Sequence, residues 1–420
     1  MIRAIIAIHF IFCNWRGFFR ISGSRDPIVR GAARALQSRP TAHGCRRTTG
    51  RATQMKITGV EPILVRLPYE HGAPKPALGM GPIRATMDAL FVRVETDQGI
   101  TGWGEAFGFA TVPVTVPAIR DVVGPLAVGR DAGDIAGLTG DLRRRLQNMM
   151  HAGPARFALS ALDIALWDIA GKVRGLPVWK LLGGPGRTRV PAYASLLRLP
   201  TPEVVAEMAA AAVARGYTHV KLHQKTPEMA AAARRAIGPD VALMVDTNCA
   251  WTSVEDAIAA ARAMQPYDLA WLEEPISPPD DYDALARLRH EGGVPVAIGE
   301  NLGNPNDVKW MARMGAADIV QPSVVKHGGI SAVWEIAAIA REHGIRCVPH
   351  APFVGPGLIA TIHIVAALAE DVVCEHRYCD LGASPLGEAV MQRGGTLRVP
   401  DGPGLGIAVD EAVLARYRAG

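Results

Sequence analysis

The chain has 420 residues, about half of them apolar and a fifth charged, which is typical of a globular protein of two domains. The net charge of +5 is misleading, because residues 1–54 hold ten Arg and one acid, Asp26, and the remaining chain is mildly acidic. That balance argues against nucleic-acid or membrane partners, and no apolar run reaches the roughly 20 residues that cross a bilayer.

Residues 1–54 have the composition of a transit peptide or of an extension upstream of a start at Met55. We expect this segment to be disordered and to play no part in the chemistry. The six Cys form no CxxC pair, which favours reduced thiols. With no clear secretion signal, we predict a cytoplasmic protein.

The first predicted elements are strands. Met55–Leu67 alternates apolar and polar residues, and Ala89–Glu95 and Gly102–Glu105 follow it as an antiparallel pair joined by a turn. Apolar residues then recur at helical spacing over Ala155–Lys172. Residues 55–185 are therefore predicted to form an α+β domain.

From residue 186 the pattern changes to short apolar strands that alternate with Ala-rich helices, starting with Val190–Ser195. Polar residues stand at the ends of seven later strands, 23 to 27 residues apart, which is the length of one strand–helix unit. These strand-end residues are Lys221 with His223, Asp246, Glu273, Glu300, Ser323, His350 and Glu375. Eight parallel strands predict an α/β fold, a (β/α)₈ TIM barrel over 186–380, with the active site at the carboxyl ends of its strands.

Three of the strand-end residues are acids at equal spacing, Asp246, Glu273 and Glu300. Three carboxylates at one barrel mouth would repel one another, and a divalent cation removes that cost. Oxygen ligands favour Mg²⁺, or else Mn²⁺, over zinc. We predict a metal site with Asn248 orienting a ligand, and we expect Glu274 to point away because strand side chains alternate. The alternative is that the acids cap helices or form salt bridges.

The candidate bases come from two sides of the same mouth. Lys221 and His223 lie two residues apart on one strand, so both should point into the barrel, and His350 lies on the opposite side. The alternative for the first two is a salt bridge from Lys221 to Asp246 and a hydrogen-bonded His223. Lys326, before Gly328, is predicted either to anchor an anionic group or merely to start a helix.

A metal beside cationic and imidazole groups indicates one type of reaction. The proton next to a carboxylate is weakly acidic, and its removal leaves an enediolate that Mg²⁺ and Lys221 would stabilise. The base needs a pKa near the working pH, which suits His223 or His350. The sequence thus predicts abstraction of the α-proton of a small carboxylic acid.

These motifs resemble the mandelate racemase/muconate lactonizing enzyme family of the enolase superfamily. ALSALDIALWDIAGKVRGLPVWKLLGG at 158–184 is similar to the family signature over its whole length, and VDTN, WLEEP, IGEN and HGGI follow in the family order. MKITGVEPILVRLP and TGWGEA look like its amino-terminal capping domain, and PGLGIAVDE at 403–411 looks like the strand that returns to that domain. The resemblance covers about 55–415.

The resemblance implies an enolase-like barrel with an α+β capping domain, to which residues 381–420 return. It implies that Asp246, Glu273 and Glu300 bind the metal and that Glu375 hydrogen-bonds the substrate carboxylate. Sites of this superfamily pair a Lys or His base with Mg²⁺. The resemblance also implies a homo-oligomer, and a loop around Tyr69–Met80 that selects the substrate.

Two positions depart from the family pattern. The chain has Lys221-Leu222-His223 where the family usually has K-x-K, and Ser323 stands where the family has an Asp partner for the histidine or a catalytic Lys. Ser323 can hydrogen-bond but cannot stabilise an imidazolium, so His350 should be less basic than in a racemase. Ser323, Lys326 and Glu375 are our predicted substrate-binding residues.

Dehydration of a sugar acid is the first hypothesis, because it needs one strong base and one weak acid. His223 or Lys221 would remove the proton, and His350 would protonate the leaving hydroxyl. A racemase, epimerase or cycloisomerase on the same scaffold is the second. The further alternatives are a Schiff-base aldolase that uses Lys326 and a non-catalytic binding protein, which Ser323 favours.

Overall fold

The computed structural model describes residues 54–73, 86–368 and 371–419. The predicted disordered extension at 1–54 lies outside these residues except for residue 54, and the predicted selector loop Tyr69–Met80 lies outside them from residue 74 on. The described start of that loop is different from the prediction, because Tyr69 and Glu70 end a strand. Within the described part of the chain, no helix has both the length and the apolar character needed to cross a membrane. No disulfide joins any of the four cysteines described there.

The amino-terminal part is an antiparallel sheet that confirms the three predicted strands. They are β1 (Ile57–Glu70), β2 (Thr86–Thr96) and β3 (Thr101–Ala106), and the order in the sheet is β12-β1-β2-β3. Strand β12 (Asp380–Leu381) comes from the far end of the chain and pairs with β1 at Tyr69 and Glu70. The carboxy-terminal segment therefore contacts this sheet.

The helix Pro154–Arg174, which confirms the predicted helix, packs directly on β3. A Cβ on Gly104 or Gly102 would lie 2.0 or 2.3 Å from a carbonyl oxygen of this helix, so only glycine permits the approach. The carboxylate of Asp168 on the helix accepts hydrogen bonds from the amides of Trp103 and Leu405, at 2.9 and 2.8 Å. The helix thus links the sheet to the carboxy-terminal segment.

Eight parallel strands confirm the predicted barrel. They are β4 (Arg189–Ser195), β5 (His219–His223), β6 (Ala242–Asp246), β7 (Leu269–Glu273), β8 (Val296–Ile298), β9 (Ile319–Val320), β10 (Arg346–Cys347) and β11 (Cys374–Arg377). They follow the order β10-β9-β8-β7-β6-β5-β4-β11, and β13 (Thr396–Arg398) pairs antiparallel with β4. Among the described residues no pairing joins β10 to β11.

Seven helices connect the barrel strands and cover their outer face. They are Pro202–Ala214, Pro227–Ile237, Val254–Met264, Tyr282–Glu291, Pro305–Met314, Gly329–Glu342 and Pro356–Ala367. The other helices are Val112–Pro117, Gly124–Ala127, Ile135–Arg145, Val178–Leu181 and Glu411–Tyr417. Six of these helices bury one apolar face, which is the amphipathic pattern read from the sequence, whereas Pro356–Ala367 is buried along its whole length.

The pairing register of the parallel strands places the strand-end residues at the same height along the barrel. Ser195 of β4 pairs with Lys221 of β5, His223 pairs with Asp246 of β6, and Asp246 pairs with Glu273 of β7. Residues separated by more than 20 positions in the chain therefore become neighbours at the carboxyl end of the barrel.

Candidate active site

A cavity of about 580 Å³ opens at the carboxyl ends of the barrel strands and reaches the loop after β3. Six of the residues predicted from the sequence line it: His223, Asp246, Asn248, Glu300, Lys326 and His350. Four others are fully buried and do not line it: Lys221, Glu273, Ser323 and Glu375. The structure thus brings the predicted residues together in one region. Six of them form part of the cavity wall, and the other four form a buried layer that does not line the cavity.

Lys221 is the centre of the buried layer. Its Nζ lies 2.6 Å from Oε1 of Glu273, 2.9 Å from Oε1 of Glu375 and 3.4 Å from Oδ2 of Asp246. Burial alone would lower the pKa of the ammonium group, but the neighbouring carboxylates hold that pKa well above its ordinary value. Lys221 therefore stays protonated, and the salt bridge to Asp246 weighed from the sequence is present.

Glu273 has both carboxylate oxygens engaged by protein groups. Oε1 contacts Lys221, and Oε2 accepts hydrogen bonds from Trp271 Nε1 and Gln321 Nε2, each at 2.9 Å. Burial raises the pKa of Glu273 to about 8, and Asp246 and Glu375 add to the shift while Lys221 opposes it. Glu375 differs: although burial raises its pKa, Lys221 brings it down to about 2.

His223 and Asp246 form a pair at the cavity wall. Nε2 of His223 lies 3.2 Å from Oδ2 of Asp246, and Nδ1 contacts the carbonyl of Leu196. Because a carbonyl only accepts, Nδ1 carries a proton, and Nε2, the other ring nitrogen, faces the carboxylate of Asp246. Asn248 donates to Oδ1 of Asp246 from its backbone N and from Nδ2, at 2.9 and 3.0 Å, which is the orienting contact predicted for it.

His350 faces Glu300 across the same cavity. Its Nε2 lies 2.5 Å from Oε2 of Glu300, so this nitrogen carries the shared proton. Burial raises the pKa of Glu300, but Lys326 and His350 hold it well below its ordinary value. Ser323 adjoins His350 through a backbone bridge, yet Ser323 Oγ and His350 Nδ1 both lack a hydrogen-bond partner among the described residues. The hydrogen bond that serine could offer is not formed.

Glu274, which we expect from the sequence to point away from the metal site, does not line the cavity. Strand β7 ends at Glu273, and Glu274 adopts a φ of 44°, so the alternation of strand side chains does not extend to it. Its carboxylate accepts from the amide of Gly299 at 2.8 Å and from the thiol of Cys249 at 3.7 Å. Burial and the nearby Glu300 raise its pKa to about 7.

The described residues include no group of three or more His, Cys, Asp or Glu side chains already arranged to hold a metal. Instead the ammonium of Lys221 lies between Asp246 and Glu273. The donor chemistry nevertheless fits a hard divalent cation, because Glu274 adds a buried carboxylate and Glu300 adds a partly exposed one at the cavity wall.

Lys326 lines the cavity, and a helix begins at Gly329, so both features weighed from the sequence are present. Its Nζ donates to Oδ1 of Asn301 at 3.3 Å and lies 5.0 Å from the centre of the Phe107 ring. Phe107 stacks on Phe109 in the loop after β3. Residues of the amino-terminal sheet thus form part of the cavity wall.

Several wall residues were missed from the sequence. Arg198, Lys225 and Arg377 follow or end strands β4, β5 and β11, and the strand-end rule would have found them had it been applied to cations on every strand. Glu105 and Phe107 come from the motif TGWGEAF, which we read only as a strand. Nothing in that motif indicates that it faces the barrel mouth.

Two family models match the chain. A model described as the mandelate racemase/muconate lactonizing enzyme N-terminal domain matches residues 77–183, and one described as enolase C-terminal domain-like matches 203–413. Members of the enolase superfamily generally use Mg²⁺.

Similar proteins include a D-galactarolactone cycloisomerase from Agrobacterium fabrum, 33% identical over 78% of this chain and 91% of the relative. A D-galactonate dehydratase from Ralstonia nicotianae is 31% identical over 79% and 91%. Among solved structures, a mandelate racemase/muconate lactonizing protein from Paracoccus denitrificans complexed with magnesium has a TM-score of 0.76 at 30% identity. That match covers 87% of this chain and 98% of the neighbour.

Proposed function

The chain belongs to the mandelate racemase/muconate lactonizing enzyme family of the enolase superfamily, and on that premise we propose that it dehydrates a sugar acid. Its relatives are dehydratases, cycloisomerases and racemases, so the chain is an enzyme of the lyase or isomerase class. Relatives named for these activities support the first two hypotheses over a Schiff-base aldolase at Lys326. A homo-oligomeric state and a cytoplasmic location stay predictions.

The proposal rests on one observation. Two imidazoles lie at the carboxyl end of the barrel, close to several carboxylates and to a buried lysine that stays protonated. His223 ends β5, and His350 follows β10, while Lys221 lies below with its charge fixed by three carboxylates. This arrangement supplies a base, an acid and an electrophile to one substrate.

Asp246, Glu273 and Glu300 are the residues that we propose to hold Mg²⁺, with Glu274 next to them. When bound, Mg²⁺ supplies positive charge beside the substrate carboxylate and so lowers the cost of forming an enediolate. Lys221 contributes from below, because its ammonium stays protonated. Its fixed charge argues that Lys221 is the electrophile and that His223 is the base.

The proposed steps follow from the two imidazoles. His223 Nε2 takes the α-proton, and the electron pair of the broken C–H bond moves toward the carboxylate. His350 gives its Nε2 proton to the β-hydroxyl, which leaves as water while a C–C double bond forms. The resulting enol then takes a proton at its β-carbon and loses the proton of its α-hydroxyl, which gives a 2-keto-3-deoxy acid with atoms and charge balanced. The missing Ser323–His350 hydrogen bond supports His350 as a proton donor rather than a second base.

A racemase, epimerase or cycloisomerase is the second candidate. The observation in its favour is that His223 and His350 come from strands β5 and β10, which are not neighbours in the sheet. Two groups that approach a substrate from different sides could remove and return a proton. The cycloisomerase relative also supports this candidate.

The test is a screen of acid sugars with MgCl₂ in D₂O that reads keto-acid formation and α-deuteration together. We expect a 2-keto-3-deoxy acid from at least one substrate. Deuterium exchange at the α-carbon with no loss of water from any acid sugar would reject dehydration in favour of the second candidate. Neither product from any acid, in the presence of Mg²⁺ or Mn²⁺, would reject both.

A further inference from the structure

Three cations line one side of the cavity. Arg377 ends β11 and pairs in register with Ser195 of β4, which in turn pairs with Lys221 of β5. Arg198 follows β4, and Lys225 follows β5. The three cations therefore come from adjacent strands β11, β4 and β5, whereas the acids that we propose as metal ligands come from β6 and the strands after it.

Two of these cations are held in place by neutral groups. Arg198 Nη2 donates to Oδ1 of Asn248 at 3.1 Å, and Arg377 Nε donates to the carbonyl of Pro352 at 3.0 Å. The guanidinium of Arg377 also lies 5.6 Å from the centre of the Phe109 ring. Lys225 is exposed. Within the described ranges, none of the three cations forms an ion pair with a carboxylate.

The acids of the same wall are already engaged. Asp88 lies 3.3 Å from Arg66, and Glu105 accepts from the amide of Gly357 at 2.8 Å. Asp246 and Glu300 face His223 and His350, as described above. Among the residues that the structure describes, no carboxylate pairs with the three cations on the β11-β4-β5 side of the cavity, so this side has an excess of positive charge.

We propose that Arg198, Lys225 and Arg377 form a binding site for a second anionic group on the substrate, remote from the carboxylate beside the reacting carbon. This inference rests on the proposed function, which places the reacting carboxylate at Lys221 and the acids. The planar guanidinium group of an arginine can donate two parallel hydrogen bonds to a carboxylate or a phosphate. The substrate class is then a sugar acid with a second terminal carboxylate or a terminal phosphate, not a neutral-ended monoacid.

Binding affinities test this inference without needing turnover. Calorimetric titration of the full chain with MgCl₂ would compare D-galactonate with galactarate, which differs only in having a carboxylate in place of the terminal CH₂OH group. A second pair, D-gluconate and its 6-phosphate, adds only a terminal phosphate. We expect the dianion of one pair to bind at least about tenfold more tightly than its monoacid, since a hydrogen bond between charged groups gives about that factor. The pair that shows the preference identifies the anion.

Substitutions show which residues cause the dianion to bind more tightly than the monoacid. Arg198→Gln and Lys225→Gln should each lower the ratio of dianion to monoacid affinity about tenfold or less, and the double variant should bring the ratio near one. Lys225→Gln is an independent check, because no hydrogen bond or ion pair is seen for Lys225 among the described residues. Arg341→Gln, an exposed cation in the last turn of the helix Gly329–Glu342, is the matched control and should leave the ratio unchanged.

Equal binding of monoacid and dianion in both pairs would overturn the inference, as would a ratio that Arg198→Gln and Lys225→Gln leave intact. A dianion preference in a protein that exchanges no α-proton would instead reject the proposed function while the anion site stands. If instead the protein turns over acid sugars but binds monoacids and dianions with equal affinity, the anion site is rejected and the proposed function stands.

Discussion

The buried ammonium of Lys221 determines the electrostatics of the site. It contacts carboxylates from β6, β7 and β11, and all four side chains are almost completely removed from water. A buried charge is costly unless it is paired, so each member of this group depends on the others. A divalent cation at the same acids would take over part of the role of Lys221.

Replacing Lys221 by Met should therefore destabilise the protein in a way that Mg²⁺ repairs. Removal of the cation leaves Asp246, Glu273 and Glu375 without their partner, and we expect the free energy of unfolding in EDTA to fall by about 3–5 kcal/mol. Urea denaturation with EDTA and with MgCl₂ measures both effects. Equal stabilisation of the variant and the wild type by Mg²⁺ would contradict the shared site, and Lys309→Met on an outer helix serves as the control.

Glu273→Gln keeps the size of the side chain but removes its charge. We expect turnover to fall by at least about 100-fold, because stabilisation of the enediolate depends on the metal that Glu273 is proposed to hold. Glu255→Gln, in an exposed ion pair with Arg287, should leave turnover unchanged. Steady-state kinetics on the substrate found in the screen measures both variants, and retained activity in Glu273→Gln would reject the metal model.

At the scale of single residues, the sequence predicts which side chains come together at the carboxyl end of the barrel but not which contacts they make. Spacing places Asp246, Glu273 and Glu300 at successive strand ends, and the structure agrees. It does not predict that Glu274 lies near enough to Glu300 for that charge to raise its pKa, because a positive φ after a strand is not visible in the pattern. Nor does it show that Ser323 Oγ has no partner, since rotamers are set by packing around the side chain.

At the scale of helices and strands, the contact between β3 and the helix Pro154–Arg174 holds the amino-terminal sheet in place. Gly104→Ala would place a Cβ 2.0 Å from the carbonyl oxygen of Ala161, and the helix must shift to admit it. We expect a loss of about 1–3 kcal/mol or more in the free energy of unfolding.

Gly140→Ala is the matched control for that substitution. Gly140 lies in the helix Ile135–Arg145, and an added Cβ would approach only the end of the Arg144 side chain, at 3.7 Å. Alanine should stabilise this helix by about 0.5–1 kcal/mol. Urea denaturation of both variants should give shifts of opposite sign, and a neutral Gly104→Ala would show that the close packing is not needed.

Glu105 joins β3 to the helix Pro356–Ala367 and makes stability depend on pH. Burial raises the pKa of its carboxyl to about 8, although the amides of Gly357 and Gly355 oppose the shift. The folded state therefore binds this proton more tightly than the unfolded state does, so the contribution of Glu105 to stability falls as pH rises from about 4.5 to 8.

Glu105→Gln removes that titration. We expect the melting temperature of the variant, relative to wild type, to be higher at pH 8.5 than at pH 5. Differential scanning calorimetry across this range measures the difference. A constant difference between the two proteins at every pH would show that Glu105 does not carry a raised pKa in the folded state.

Elements are the level at which the sequence is most informative. The strands β1 to β3, the helix Pro154–Arg174 and the barrel strands follow from apolar periodicity and glycine-bearing turns. The contact of Glu105 with the amides of Gly355 and Gly357 could not be predicted, because it joins residues about 250 positions apart with no periodic signal.

For the whole molecule, the barrel explains why chemistry spread over the chain converges. Parallel register brings His223, Asp246 and Glu273 to one level, so regular spacing in sequence becomes proximity in space. The wall that faces them includes Arg377, which ends β11, and Phe107, which belongs to the loop after β3. The strand-end residues of the cavity are thus predictable from spacing, and the contribution of the loop after β3 is not.

The most direct test of the account is the fate of the α-hydrogen. Proton NMR would follow the turned-over acid sugar in D₂O with MgCl₂, with Glu273→Gln measured alongside. We predict that the α-hydrogen passes to solvent and that the keto-acid product carries deuterium at the carbon that lost its hydroxyl. Turnover that keeps the original hydrogen in the product, or that proceeds unchanged in EDTA, would contradict α-proton abstraction with a bound metal.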